Sequence, residues 1–220
     1  MLTSEQATLL TEGAQQLQVE LTAEIIDRFT VYLEELQRWA NITDLVSQSD
    51  QETIIRKHIL DSLAVLPILP LQGRILDLGS GAGFPGLPIA MARSTLSVSL
   101  LEPRRKRVNF LKEVIRKTKL INTQAFEGRA EEFAKQERWQ SAFDIIITRA
   151  TWNIQKFLPI ARPFVKYNGT IVAMMGAGAE KELQKEKTRL QEYPCVLQKL
   201  TQYNLPFGKE QRALAVFSPA

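Results

Sequence analysis

The residues best placed to do chemistry lie in one short run, Asp77-Leu78-Gly79-Ser80-Gly81-Ala82-Gly83, which follows the apolar stretch Arg74-Ile75-Leu76 directly. Closely spaced glycines let a backbone turn with positive φ and let a ligand approach the main chain. Gly81-Ala82-Gly83-Phe84-Pro85-Gly86 also matches the G-x-G-x-x-G spacing of a dinucleotide loop. Such a loop presents a helix N-terminus to a pyrophosphate, and an apolar strand normally runs straight into its first glycine. Here an acid, Asp77, stands two residues before Gly79. A carboxylate in that place suits a cationic ligand such as S-adenosylmethionine, whose ammonium it can hold directly or through a water. Glu102, which ends the next β-rich run, can accept from two ribose hydroxyls of either kind of cofactor and does not separate them. Three readings stand: a glycine turn that binds nothing, a nicotinamide or flavin site, and an S-adenosylmethionine site. The acid before the loop favours the third, with Asp77, Gly79, Ser80, Gly81 and Glu102 as cofactor contacts. A dehydrogenase would also need a substrate domain and a proton donor, for which 220 residues leave little room.

Composition removes other chemistries. Cys195 is the only cysteine and His58 the only histidine, so an intramolecular disulfide, a thiolate-rich metal site and a His-rich metal site are excluded. A pyrimidine C5 methyltransferase needs a cysteine nucleophile, and Cys195 lies far downstream in a run that reads as an edge strand, where a small buried residue is expected. With 45% hydrophobic and 24% charged residues the chain reads as an ordinary globular protein. A net charge of +4 suits a nucleic-acid partner without demanding one. Met1 to Gly13 has no basic region followed by an apolar run, and no stretch is long enough to span a bilayer. The expectation is a cytoplasmic protein with no membrane partner, acting as a monomer.

The elements that must position these residues come in two styles. From Leu9 to Trp39 apolar residues recur at helical spacing, with Ile25, Phe29, Leu33 and Leu36 on one face. A second amphipathic stretch, Glu52 to Leu66, stops at Pro67 and Pro70. After Gly73 the pattern changes to β-rich runs: 74–79, 97–102, 123–127, 143–148, 169–175, 196–203 and 212–218. Helical stretches lie between them, such as Lys106 to Thr118 with Val108, Leu111 and Ile115 on one face. Alternation of this kind predicts an α/β, Rossmann-like, mostly parallel sheet covered on both faces. The last two runs are joined through Leu205-Pro206-Phe207-Gly208 with no room for a helix, so one late strand should run antiparallel. The division expected is a helical N-terminal extension over 1–70 and a catalytic domain over 71–220.

Taken together, the chain resembles the bacterial methyltransferases that modify N7 of a guanosine in small-subunit (16S) ribosomal RNA, the glucose-inhibited division protein B family. The matching segments are Asn41-Ile42-Thr43, Arg56-Lys57-His58-Ile59-Leu60-Asp61-Ser62-Leu63, Asp77 to Pro88, Lys106 to Leu111, Arg129-Ala130-Glu131 and Thr148-Arg149-Ala150. They occur in family order between Asn41 and Ala179. The resemblance implies a seven-stranded S-adenosylmethionine-dependent methyltransferase sheet. It also implies cofactor contacts at Gly79, Phe84, Glu102, Ala130, Glu131 and Arg149, with Arg149 placed at the reacting centre. Two positions depart from the family: Met174-Met175-Gly176 stands where a lysine commonly precedes the glycine, and Trp152 replaces a smaller residue.

For the partner, the resemblance implies ribosomal RNA within the small subunit or its precursor. Asn41, His58 and Trp152 are the candidate substrate contacts, although His58 and Asp61, one helical turn apart, better suit fastening the N-terminal helices to the sheet. Arg104 to Lys119 holds eight basic residues and one acidic, Glu113, a strip that could bind phosphates or merely solvate a helix face. Asn204-Leu205-Pro206-Phe207 imitates the motif of exocyclic-amine methyltransferases, but that motif belongs after the fourth strand and the late copy reads as a turn. A methyltransferase for a small molecule or protein, and a noncatalytic RNA-binding module, remain as alternatives.

Overall fold

The computed structural model describes residues 2–40, 42–43, 45, 50–149, 153–186 and 195–220. Asn41 and Trp152 lie outside the described residues.

The N-terminal part is helical, as expected, but the run from Leu9 to Trp39 is two helices. α1 (Ser4–Gln16) starts with a capping box between Thr3 and Gln6, and α2 (Ala23–Trp39) is capped by the Thr22 hydroxyl. The break falls at Gln18, whose φ is +60°. The expected 52–66 helix is also composite. α3 (Gln51–Ile54) runs into a π-helical turn (Ile55–Leu60) and on into α4 (Asp61–Leu63), and Pro67 then sits in a short 3-10 turn (Leu66–Ile68). A π turn widens the backbone spacing and frees carbonyls for other donors. Here the Lys57 carbonyl accepts from Arg149 and the His58 carbonyl from Ser62.

The rest is one seven-stranded sheet in the order β3-β2-β1-β4-β5-β7-β6. β1 (Gly73–Leu78), β2 (Leu96–Glu102), β3 (Thr123–Glu127), β4 (Phe143–Arg149) and β5 (Val165–Gly176) are parallel. β7 (Gln211–Pro219) is antiparallel to both β5 and β6 (Cys195–Asn204), which makes it the one reversed strand. The Leu205–Gly208 connection thus does what its length predicted. α5 (Gly86–Ala92) and α6 (Arg105–Lys117) cover one face together with the N-terminal helices. α8 (Ile154–Ala161) and α9 (Ala179–Lys185) cover the other, with the one-turn α7 (Ala130–Phe133).

The extension has no core of its own. Leu10, Phe29 and Ile59 belong to the same buried cluster as Ile75, Val98 and Leu214. The Tyr32 hydroxyl donates to the Ala82 carbonyl at 2.6 Å, pinning α2 to the glycine loop. Strand order reverses between β1 and β4, and in open α/β sheets the ligand crevice forms at the carboxyl ends of the strands beside that switch.

Candidate functional site

The glycine loop leaves β1 at that crevice. Gly79 and Gly81 have φ of +72° and +56°, conformations that other residues adopt only with strain. This turns the Gly81 N–H onto Glu102 Oε2 at 2.9 Å, while the N–H groups of Gly79 and Ser80 reach back to the Leu101 carbonyl. The Arg104 N–H donates to Glu102 Oε1 at 3.0 Å. Glu102 is therefore fixed at the end of β2 with one bond on each oxygen, and each oxygen keeps a lone pair for a ligand hydroxyl.

A cleft of about 440 Å³ opens beside it, within the ordinary range for a small-molecule site. Its wall brings together four of the expected contacts, Gly79, Glu102, Ala130 and Glu131. Residue 102 ends β2 and residues 130–131 open α7 just after β3, and only the β2–β3 pairing sets them side by side. Arg104, Arg107 and Arg129 complete the rim. Arg104 and Arg129 are the residues that precede α6 and α7, and Arg107 lies in the first turn of α6; no motif in the sequence marks the three as one group.

Asp77, Ser80 and Gly81 do not line this cleft. Asp77 has no exposed surface, and its Oδ2 accepts the Gly86 N–H at the start of α5 at 2.9 Å. Burial pushes its carboxyl up to about 7, against the opposing pull of the Gly86 N–H and the Ser80 hydroxyl. Its Oδ1 is buried without a hydrogen-bond partner among the described residues. An orphaned buried acceptor two residues before Gly79 of the cleft wall fits a cationic ligand, since buried acceptors are normally satisfied. The Ser80 hydroxyl donates to the Asp77 carbonyl and holds the loop shut on itself. The donor set therefore suits S-adenosylmethionine: a fixed carboxylate for a diol and an unsatisfied buried carboxyl for an ammonium.

Phe84, Arg149 and His58 form a second cluster. Phe84 is buried, with its ring 5.0 Å from that of His58 and 5.5 Å from that of Tyr32, and the Arg149 guanidinium lies 5.1 Å from its centre. Arg149, at the end of β4, donates to the Lys57 carbonyl at 3.0 Å and to Asp61 Oδ2 at 3.1 Å, and lies 2.7 Å from His58 Nδ1. Arginine can only donate, so Nδ1 is the acceptor and the neutral ring carries its proton on Nε2. Burial, reinforced by Arg149, Arg212 and Lys57, lowers His58 to about 4, which keeps it neutral. Asp61 also accepts from the Tyr203 hydroxyl at 2.7 Å and faces Arg212 Nε at 3.7 Å. The π turn, β4 and the β6–β7 hairpin thus meet at one carboxylate. His58 and Asp61 fasten the extension to the sheet. Tyr203 and Arg212 carry no local signal of this, because they lie more than 140 residues from their partner.

The strip from Arg104 to Lys119 divides. Arg116 chelates Glu113, with contacts of 2.8 and 3.0 Å, and Lys117 pairs with the buried Glu35 of α2. Its last turn is therefore structural, while Arg104 and Arg107 stand at the cleft. Cys195 is buried in β6, with its thiol raised by burial, far from both clusters in the fold's edge strand.

A seven-stranded sheet in this order, with a glycine loop after β1 and an acid ending β2 on one cleft, defines the class of S-adenosylmethionine-dependent methyltransferases. Solved structures of that fold are similar. A SAM-dependent methyltransferase from Aquifex aeolicus superposes with a TM-score of 0.60 at 17% identity, covering 81% of this chain and 97% of that one. M. jannaschii TYW2 in complex with AdoMet gives 0.59 at 16% identity, covering 79% of each. Within the class, residues 25–215 match the family described as GidB, rRNA small subunit methyltransferase G, and the chain belongs to that family. Proteins named ribosomal RNA small subunit methyltransferase G are similar over nearly the whole chain. The one from Syntrophus aciditrophicus is 34% identical over 95% of this chain and 88% of its own. That from Acetivibrio thermocellus is 35% identical over 94% and 86%. The cofactor is S-adenosylmethionine. No helix among the described residues is long and apolar enough to cross a membrane.

Proposed function

We propose that this protein methylates N7 of a guanosine in small-subunit ribosomal RNA, working in the cytoplasm as a monomer on the subunit or its precursor. The observation that carries the reading is the joining of the family's H-I-L-D-S-L helix to the glycine loop: His58 stacks on Phe84 and both meet Arg149.

When bound, S-adenosylmethionine supplies an electrophilic methyl group on its sulfonium. Guanine N7 already offers a lone pair, so the protein need only align the two and exclude water, with no base required. The titratable groups near the cleft fit that economy. His58 is neutral and already bonded through Nδ1, and Asp77 is buried behind the loop. Neither faces the cleft as a free base. Glu102 holds the ribose, Ala130 and Glu131 flank the adenine, and Asp77 counters the ammonium. Arg149 acts at the junction between cofactor and base. Lys57, His58 and Asp61 clasp it there and fix the plane of its guanidinium. His58 positions Arg149, and Asn41 and Trp152 are proposed to contact the RNA. On the RNA side, Arg104, Arg105 and Lys106 open α6 with no acid in its first turn. Cations at the positive end of a helix oppose its dipole, which favours a role in holding a polyanion.

The test is transfer of labelled methyl to unmodified small subunits followed by nucleoside analysis. Label recovered as 7-methylguanosine is expected. Label in another nucleoside overturns the N7 assignment, which the absence of a lysine at Met175 makes worth measuring. Labelling of a metabolite or protein in place of RNA would favour a different substrate class for the same fold.

A further inference from the structure

A second concavity lies at the other end of the strands. Glu102 and the cofactor cleft stand at the last residue of β2, whereas Arg74 and Ser97 stand near the first residues of β1 and β2 and line a bay of about 450 Å³. Its floor is the sheet itself. Val98 belongs to the first core, so the alternation of a strand turns Ser97 and Ser99 to the opposite face. There they lie beside Phe126, Trp139 and Phe143. A parallel sheet is normally covered on both faces. Between β3 and β4, however, this chain has only the four residues of α7 and the 3-10 turn Glu137–Trp139, too little to cover three strands.

The bay is therefore open, and its chemistry is specific. Two arginines line it, Arg74 and Arg138, both exposed, and no carboxylate among the described residues does. Serine hydroxyls and the Gln124 amide supply hydrogen bonds. The indole N–H of buried Trp139 has no hydrogen-bond partner among the described residues. Fully exposed Ile121 stands at the rim. Trp139 and Phe143 are buried, with the Arg74 guanidinium 5.0 Å from the Phe143 ring centre, so the half-buried Phe126 is the ring that offers a face. Cations for a phosphate, one aromatic face for a base and hydrogen-bonding groups between them make the combination by which proteins hold single-stranded nucleic acid.

We propose that this bay is a second RNA contact, seating one unpaired nucleotide of the substrate at a distance from the methylated base. It rests on the reading of RNA as substrate. The phosphate lies at Arg74 and Arg138, and the base lies against Phe126 and Ile121. The bay would select the substrate by a feature outside the target nucleotide, and it would act on binding, not on the chemical step.

The experiment compares the wild type with Arg74→Ala/Arg138→Ala and with Ser99→Phe, which fills the bay without changing charge. Methyl transfer to unmodified small subunits is measured against salt, with S-adenosylmethionine affinity measured by calorimetry and folding by melting temperature. Both variants are expected to raise KM roughly five- to tenfold with kcat and cofactor affinity unchanged. The double variant should also make log KM less steep in log salt by up to about 0.7, the value for one phosphate no longer neutralised. Unchanged KM in both variants overturns the proposal. So does a rise seen on assembled subunits but absent on naked ribosomal RNA, which would assign the bay to a ribosomal protein. Should the wild type methylate no RNA, the functional reading fails first. Direct binding of a single-stranded RNA to the three proteins then decides the bay alone, equal affinities rejecting it.

Discussion

Two buried titratable residues beside the site pull stability in opposite directions with pH. Asp77 is raised from 3.8 to about 7 in the folded protein, so its contribution is full below pH 4 and is lost as pH rises to 7. His58 is lowered from 6.5 to about 4, so its contribution is full above pH 6.5 and is lost as pH falls to 4. Asp77 is worth on the order of 4 kcal/mol and His58 on the order of 3, and the windows overlap, so the wild type should show a nearly flat stability profile between pH 4 and 7, with a net fall of about 1 kcal/mol. Asp77→Asn should unmask a rise with pH and His58→Asn a fall, both read from urea midpoints across that range. A slope in the wild type as steep as in either variant would contradict the cancellation. The cofactor's ammonium should lower the Asp77 carboxyl, so calorimetric affinity for S-adenosylmethionine should rise from pH 6 to 8 in the wild type. In Asp77→Asn that dependence should disappear.

Arg149 also belongs to the residue scale. Its clasp with Asp61 is mostly buried, and truncating one partner of such a pair costs about 3 kcal/mol. Arg149→Ala should lose methyl transfer, remain folded, and melt several degrees lower. Arg149→Lys should recover stability before activity, because an ammonium restores the charge but not the fork that serves Lys57, Asp61 and His58 together. Gly79→Asp should lose cofactor binding with its fold retained, since φ of +72° at the cleft wall admits no larger residue without strain.

At the scale of elements, α6 is the informative helix. Its first turn carries Arg105, Lys106 and Arg107 against the dipole, and its last turn carries Arg116 and Lys117 in favour of it. Charge reversal at Arg105 and Lys106 should weaken binding to small-subunit RNA and flatten its salt dependence, by up to about 0.7 in slope for each phosphate no longer neutralised. Reversal at Lys117 should instead lower the melting temperature, because it leaves Glu35 buried beside a like charge, with RNA binding changed little. Equal effects from both ends in filter binding would return the whole strip to a solvated face.

At the scale of the molecule, the extension and the sheet should unfold together. One cluster of buried residues runs from Leu10 to Leu214, and Tyr32, His58 and Asp61 tie the helices to the loop, β4 and the edge hairpin. A single thermal transition is expected by calorimetry and by fluorescence, and removal of residues 1–70 should leave an insoluble remainder because Ile75, Leu87 and Leu111 lose their cover. Two separate transitions would restore an independent extension. The seven strands were legible because each is a short apolar or alternating run bounded by turn residues, and the reversed strand because so short a connection cannot hold a crossover helix. The glycine loop and Glu102 were legible because strand ends announce themselves locally. What the sequence could not show was depth. Asp77 reads as an acid at the mouth of a loop, but the turn buries it and aims one oxygen at the Gly86 N–H, leaving only Oδ1 without a partner among the described residues. His58 and Asp61 read as a pair on a helix, and the π turn that frees the Lys57 carbonyl has no signature in residue types. Their partners Arg149, Tyr203 and Arg212 arrive across separations that only closure of the sheet sets. The sequence by itself determined the order of elements and the residue types at each strand end, because those follow from local periodicity and turn chemistry. Tertiary structure alone decided which of those residues face the cleft, which are satisfied by one another, and where a short β3–β4 connection leaves the sheet uncovered.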